Sequence, residues 1–279
     1  MDYQVVEKIH IRKDKCEKVG AFLYDRELDA LYHESPWPFP VQIGISDGLS
    51  KCQVTPMFLK LPFLLKGWVQ EYILLREIEL LKLALNGKIL MHGSCYVEDG
   101  KGVLVIGFSN SGKTYQTYKS VAEGARLVSE EYTILSEGQF SDKGMWQAEP
   151  YNKLMKTCFS AKTMKVANIQ MNWKEKIWLF FATIRAKFFP FMYEAVIWKT
   201  IPVNGSSAYI DKIVYGSTGR EIKDWRQFAI LCENEFPFMS SEFLQAYAIA
   251  SGLDLLAIQE TQRGLIRDFV KSIYPNNGK

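Results

Sequence analysis

Eight consecutive residues, Gly107-Phe108-Ser109-Asn110-Ser111-Gly112-Lys113-Thr114, constrain this chain more than any other stretch. They follow the pattern Gly, four residues, Gly-Lys-Ser/Thr, which suits the binding of phosphate. Glycine lets the backbone wrap closely, so that successive N–H groups can point at phosphate oxygens. A lysine supplies a mobile positive charge, and a threonine hydroxyl can ligate Mg²⁺. All eight residues are therefore candidate nucleotide contacts, with Lys113 and Thr114 carrying the charge and the metal. The pattern requires a strand before it and a helix after it. Gly102-Val103-Leu104-Val105-Ile106 is a short apolar, β-branched run that predicts a buried strand. Tyr115 to Glu123 contains neither Gly nor Pro, and Gly124 stands where a helix would stop.

The flanks extend this pattern. Glu71 to Asn86 predicts a largely buried helix, with a polar stripe through Arg76, Glu79, Lys82 and Asn86 and a stop at Gly87. Ile89 to Val97 reads as one strand. Asp99-Gly100 tolerates the positive φ of a tight hairpin, so a β-hairpin feeds the phosphate loop. After the loop helix, Ala125 to Ser129 predicts a strand ending in two adjacent carboxylates, Glu130 and Glu131, before Tyr132 to Leu135 resumes it. Carboxylates at a strand end near a phosphate loop can hold Mg²⁺ or accept a proton, and an acidic solvent-facing turn is the plainer alternative.

Elsewhere the signals are weaker. Residues 1 to about 65 read as strand-rich, with Val41 to Ile45 as a half-buried strand. Ser35 to Pro40, crowded with prolines, reads as a loop, with His33 and Glu34 beside it. Ala208 to Tyr215 predicts a late strand closed by Gly216 to Gly219. Ser240 to Ser251 and Thr261 to Tyr274 predict helices, with Gly252 and Gly264 interrupting or capping them. Pro275 to Lys279 is expected to be disordered.

Composition narrows the function classes. The 279 residues carry a net charge of only +3, which argues against nucleic acid as a partner. Five cysteines (Cys16, Cys52, Cys95, Cys158 and Cys232) are scattered without close pairs, which argues against a disulfide framework or a zinc site and suits a reducing cytoplasm. Met1-Asp2-Tyr3-Gln4 lacks the basic-then-apolar layout of a signal peptide. Trp173 to Trp198 is rich in aromatic residues, but Lys174, Lys176, Arg185, Lys187 and Pro190 argue against a membrane span. A buried helical insertion is the first expectation for this stretch, with a substrate-covering lid and a membrane-surface helix as the alternatives.

Three blocks recur together: His92-Gly93, the loop with its leading strand, and Gly124-Ala125-Arg126-Leu127-Val128-Ser129-Glu130-Glu131. In order and spacing this region, about Ile89 to Leu135, resembles the HPr kinase/phosphorylase family and its looser relatives. Those proteins share a core with ATP-dependent phosphoenolpyruvate carboxykinases. The resemblance implies a mixed α/β fold of the phosphoenolpyruvate carboxykinase-like P-loop kinase type. A strand-rich N-terminal region (1–70) would precede a kinase domain (71–279) with an aromatic insertion at 170–200, ending in helices. It implies ATP and Mg²⁺ as cofactors. Lys113 would polarise the transferred phosphate, Thr114 would ligate Mg²⁺, and one of Glu130 and Glu131 would act as base while the other assists or touches Mg²⁺. His92 would orient the acceptor or the phosphate; a core histidine is the alternative.

The sequence departs from the family pattern in three ways. Both acids are glutamate where the family has aspartate. Asn110 replaces the first inner glycine of the loop. The downstream Glu-X-Arg-Gly signature is absent, which leaves Glu149 as the nearest candidate for a further Mg²⁺ ligand. The expectation is an ATP- and Mg²⁺-dependent phosphotransferase acting on a hydroxyl, such as a serine of a peptide or protein, in the cytoplasm, with homo-oligomers as in the HPr kinases. A nucleotide-binding sensor or scaffold without turnover is the second reading. A kinase of a lipid or glycan carrier at the membrane surface is the third.

Overall fold

The computed structural model describes residues 3–35, 41–57, 68–108, 111–138, 145–151, 154–188, 196–202, 207–222 and 242–274. The proline-rich stretch at 36–40, Ser109 and Asn110 of the phosphate loop, and the C-terminal 275–279 lie outside these residues. The chain divides into two units. One comprises residues 1–87 and 237–263, the other residues 88–236 and 264–279. This division differs from the expected boundary at residue 70, because the long helix before Gly87 and a C-terminal segment group with the N-terminal strands.

The first unit is built on a six-stranded sheet in the order β1-β6-β5-β4-β3-β2. Its strands are β1 (Tyr3–Val5), β2 (Cys16–Val19), β3 (Phe22–Asp25), β4 (Ala30–Ser35), β5 (Val41–Ser46) and β6 (Lys51–Val54). Only β1 and β6 run parallel. Strand β5 is buried on both faces rather than half-buried. The polar Gln42 is accommodated because its side chain accepts from the Ile9 amide (2.9 Å) and donates to Glu34 (3.0 Å). His33 and Glu34 belong to strand β4 rather than to a loop, and Glu34 also pairs with Lys13 at 2.5 Å. Helix α1 (Trp68–Leu85) starts three residues before the expected Glu71 and stops at Gly87, whose φ is 66°. The C-terminal segment joins this unit through Asp29, which accepts hydrogen bonds from Tyr24 (2.7 Å) and from Tyr247 (2.9 Å) of the helix Glu242–Ser251.

The second unit holds a mixed sheet in the order β10-β8-β9-β15-β12-β11-β7, with β16 (Arg220–Glu221) paired to β15. Its strands are β7 (Ile89–Met91), β8 (Ser94–Glu98), β9 (Lys101–Ile106), β10 (Arg126–Ser129), β11 (Thr133–Glu137), β12 (Trp146–Pro150) and β15 (Ala208–Tyr215), while β13 (Leu154–Ser160) and β14 (Val196–Pro202) pair with each other in a separate two-stranded sheet. Strands β8 and β9 form the expected hairpin, with Asp99 and Gly100 both at positive φ. Strand β15 lies parallel to β9, and the other pairings are antiparallel. The core under this sheet gathers Leu104, Ile106, Val128, Leu135, Trp146 and Ile213 with Ile266, Phe269 and Val270 of the C-terminal helix. That helix runs unbroken over Leu255–Ile273. Gly264 sits inside it with open space around its α-carbon, so it neither caps nor interrupts.

The expected single strand Ile89–Val97 is two strands. It breaks at His92-Gly93, after which β7 pairs with β11 while β8 pairs with β9 and β10. The cause is a close approach: a Cβ on Gly93 would stand 2.7 Å from the carbonyl oxygen of Val105. Beside the break, the Gly93 carbonyl accepts a hydrogen bond from Thr133 Oγ1 at 2.7 Å. Since Thr133 spends its proton there, Ser129 Oγ donates to Thr133 across 2.5 Å. Substitution Gly93→Ala should therefore push β8 off β9 and lower unfolding stability by about 1–3 kcal/mol, measured by urea denaturation. An unchanged midpoint would show that the two strands have room to part.

Candidate functional site

The register of the second sheet brings many strand ends to one edge. Strand β9 ends at Ile106, where the phosphate loop begins, and parallel β15 ends beside it at Tyr215-Gly216. Strands β8 and β10 run antiparallel, so the start of β8 after His92-Gly93 and the end of β10 before Glu130 lie at that same edge. Thr133, which opens β11, stands opposite both Met91, which ends β7, and Pro150, which ends β12. The carboxyl ends of strands in an open α/β sheet are where ligands bind as a rule.

The loop is positioned from both sides. Gly112 adopts φ 85° and ψ 23° as N-cap of helix α2 (Lys113–Ala122), a left-handed conformation that a side chain disfavours. Gly216, at the end of β15, lies so close that a Cβ there would come 2.5 Å from the Ser111 carbonyl oxygen. The buried hydroxyls of Ser94 on β8 and Thr117 on α2 are hydrogen-bonded to each other, which ties the helix to the hairpin. As expected, α2 stops before Gly124, which has φ 110°.

Lys113 is 9% exposed, and its ammonium donates to the carbonyl oxygens of Gly107 (2.7 Å) and Phe108 (3.1 Å). The Thr114 hydroxyl lies near enough to Glu130 to favour its charged form, which brings two of the expected residues together. Glu130 is 1% exposed, and its Oε2 has no hydrogen-bond partner; the buried hydroxyl of Ser111 has none either. Burial pushes the Glu130 carboxyl up to about 8, with Glu131 adding to the rise and Thr114 and Lys113 opposing it.

Glu131 occupies a left-handed turn at φ 63°. Both it and His92 are half-buried. The His92 ring stacks on Tyr132, with centroids 5.2 Å apart and planes at 29°, and Tyr132 meets Tyr151 edge-on at 6.0 Å. His92, Glu130 and Glu131 are thus joined through one short turn. Glu149 stands one residue before Pro150 on β12 and pairs with Lys88 at 3.6 Å. Phe108 is 39% exposed.

Sequence reasoning passed over Tyr132, and it named Ser111 as a loop contact without foreseeing that its hydroxyl is buried and unpartnered. Adjacency to the carboxylate pair was the available signal for the first. The orphaned hydroxyl had none, because hydrogen-bond satisfaction is a property of the folded chain.

Among the described residues no group of three or more His, Cys, Asp and Glu side chains is placed to hold a metal ion. A divalent cation at this edge would therefore draw on Thr114, Glu130 and oxygens of a bound phosphate, a ligand set that suits Mg²⁺ better than zinc. The two orphaned polar atoms, Ser111 Oγ and Glu130 Oε2, fit that requirement. Compared with known proteins, the chain matches no family model and no curated sequence.

Glu130 has a consequence for stability that can be tested without ligand. Its carboxyl binds a proton in the folded protein up to about pH 8, but only to about 4.5 when exposed. The folded state then holds more protons between these values, so stability is fully present below pH 4.5 and is lost as pH rises through 8. In metal-free buffer, Glu130→Gln should remove this slope and be the more stable protein at pH 8, by on the order of a few kcal/mol. Denaturant titrations of both proteins at pH 5 and pH 8 measure it; parallel pH profiles would overturn the assignment.

Proposed function

We propose that this protein is a phosphotransferase that binds ATP with Mg²⁺ and phosphorylates a hydroxyl, in the manner of the HPr-kinase-like proteins it resembles. The single observation that carries this reading is the pair of buried, unpartnered oxygens, Ser111 Oγ in the loop and Glu130 Oε2, with Glu130 in the electrostatic reach of Lys113 and Thr114. A turn-forming loop without a ligand has no need of two orphaned buried oxygens, each of which costs about 1–3 kcal/mol.

In this reading the loop amides, Ser111 and Lys113 hold the β- and γ-phosphates. Lys113 exchanges two backbone carbonyls for phosphate oxygens, which are stronger partners for an ammonium group. Thr114 and Glu130 would hold Mg²⁺, whose contribution is to neutralise charge on the phosphates. Glu131, less buried than Glu130, takes the proton of the acceptor hydroxyl as that oxygen bonds to phosphorus and ADP departs. His92, fixed by its stack on Tyr132, orients the acceptor. Glu149 is the weaker candidate for the metal because Lys88 already engages it.

A second reading has an observation in its favour. Burial favours the protonated form of Glu130 and Lys113 is engaged by its own loop, which suits a module that binds nucleotide without transferring phosphate.

Transfer of labelled γ-phosphate from Mg·ATP to components of a cell extract separates the two. Lys113→Ala should abolish labelling and weaken nucleotide binding. Glu131→Gln should keep nucleotide binding but lower transfer by about a hundredfold or more, in the range of general-base catalysis. Labelling that persists at full rate in Lys113→Ala would refute the kinase assignment. Tight ATP binding with no phosphorylated product would favour the binding module.

A further inference from the structure

The aromatic stretch gives a helix that the catalytic reading leaves without a role. Helix α4 (Trp173–Phe188; α3 being the short Ala161–Val166) starts with a reciprocal cap. The Glu175 amide donates to Asn172 Oδ1 at 2.9 Å, and the Asn172 amide donates to Glu175 Oε2 at 2.8 Å. Leu179 anchors the helix against Ile169, Met171 and the buried Tyr118, Phe159 and Met164. The first expectation, a buried insertion, does not hold for the aromatic side chains described on this helix. Trp173 is 67% exposed, Ile177 48%, Phe180 63%, Phe181 62% and Ile184 37%.

Those five positions recur at intervals of four, three, one and three residues, which places them in one stripe along the helix, while Trp178, 57% exposed, lies outside it past the Lys174 row. Lys174 and Lys176 stand on opposite borders of the stripe. Arg185 and Lys187 follow them in the sequence eleven residues later, about three turns on. The one acidic residue of the helix, Glu175, is taken up by the cap. An apolar stripe with a basic row on each side is the pattern of a helix lying in a lipid interface. Aromatic rings enter the headgroup boundary, and long basic side chains reach back to anionic phosphates.

We propose that α4 docks the protein, parallel to the surface, onto membranes containing anionic lipid. Charge decides between this occupant and a second copy of the chain. Two such helices packed stripe to stripe would bring basic rows together, whereas an anionic surface neutralises both. At 16 residues the helix is about 24 Å long, short of the roughly 30 Å hydrocarbon core, so it can lie on a bilayer but not cross it. Among the described residues no helix is long and apolar enough to cross a membrane. The proposal rests on this helix alone and is independent of the chemistry at the phosphate loop.

The test is co-sedimentation of the full chain with phosphatidylcholine vesicles, with and without phosphatidylserine. Wild type should sediment with the anionic vesicles only and be released by high salt, and tryptophan emission should shift to the blue on binding. Phe180→Ser with Phe181→Ser should lose sedimentation. Lys174→Gln with Lys176→Gln should weaken it by about tenfold or more. Both pairs are at the surface, and a urea-unfolding midpoint unchanged from wild type in each variant verifies an intact fold. Three outcomes would overturn the proposal. The first is failure of wild type to bind anionic vesicles, and the second is binding of the serine variant to the extent that wild type binds. In the third, wild type self-associates without binding lipid and the serine variant is monomeric, which makes a second copy the occupant.

Discussion

A backbone approach at Gly93 underlies the arrangement of the second unit. With no side chain there, β8 closes on β9 near Val105, and the chain leaves β7 to enter a different position of the same sheet. One nine-residue apolar run thereby serves both flanks of the sheet. The hairpin delivers the phosphate loop on one side of the break, and β7 delivers His92 on the other. The hydroxyl relay Ser129–Thr133–Gly93 then fixes the turn that carries Glu130 and Glu131 against this same point. A single small residue thus sets the spacing between the loop, the histidine and the carboxylates.

The charges at the loop are satisfied within the protein itself. Lys113 is held by carbonyls of its own loop, and burial favours the protonated form of Glu130. Neither a bare ammonium nor a bare carboxylate is left in a low-dielectric pocket, where either would be costly. Ligand binding at such a site exchanges partners rather than filling unsatisfied charge. The two oxygens that have no partner, on Ser111 and Glu130, mark where that exchange would gain most.

Much of this was legible in the sequence because it depends on local rules. The Gly-Lys-Thr spacing, the Asp99-Gly100 turn and the stop at Gly124 each require particular residue types at particular positions, and each is found where those residues place it. Features that depend on contacts between distant segments were not legible. Nothing in Ile89 to Val97 distinguishes one strand from two, because the break depends on Val105 lying underneath Gly93. Gly264 looks like a helix breaker in isolation, but tertiary packing of Ile266, Phe269 and Val270 outweighs its propensity cost of about 1 kcal/mol. The aromatic run after Trp173 looked like core because composition records hydrophobicity and not which face a helix turns to its neighbours. The proximity of Thr114 to Glu130 was foreshadowed only by resemblance, since sixteen residues separate them in the chain.

The two tyrosines on Asp29 carry a consequence for biosynthesis. Tyr247 lies 218 residues after the aspartate it binds, and the unit it completes is interrupted by residues 88–236 of the other one. During synthesis the N-terminal strands emerge first but cannot acquire this partner until nearly the entire chain has been translated. The inserted unit lacks only its last helical segment at that stage and can begin to collapse in the meantime. The early strands therefore wait through 218 residues of synthesis for this partner.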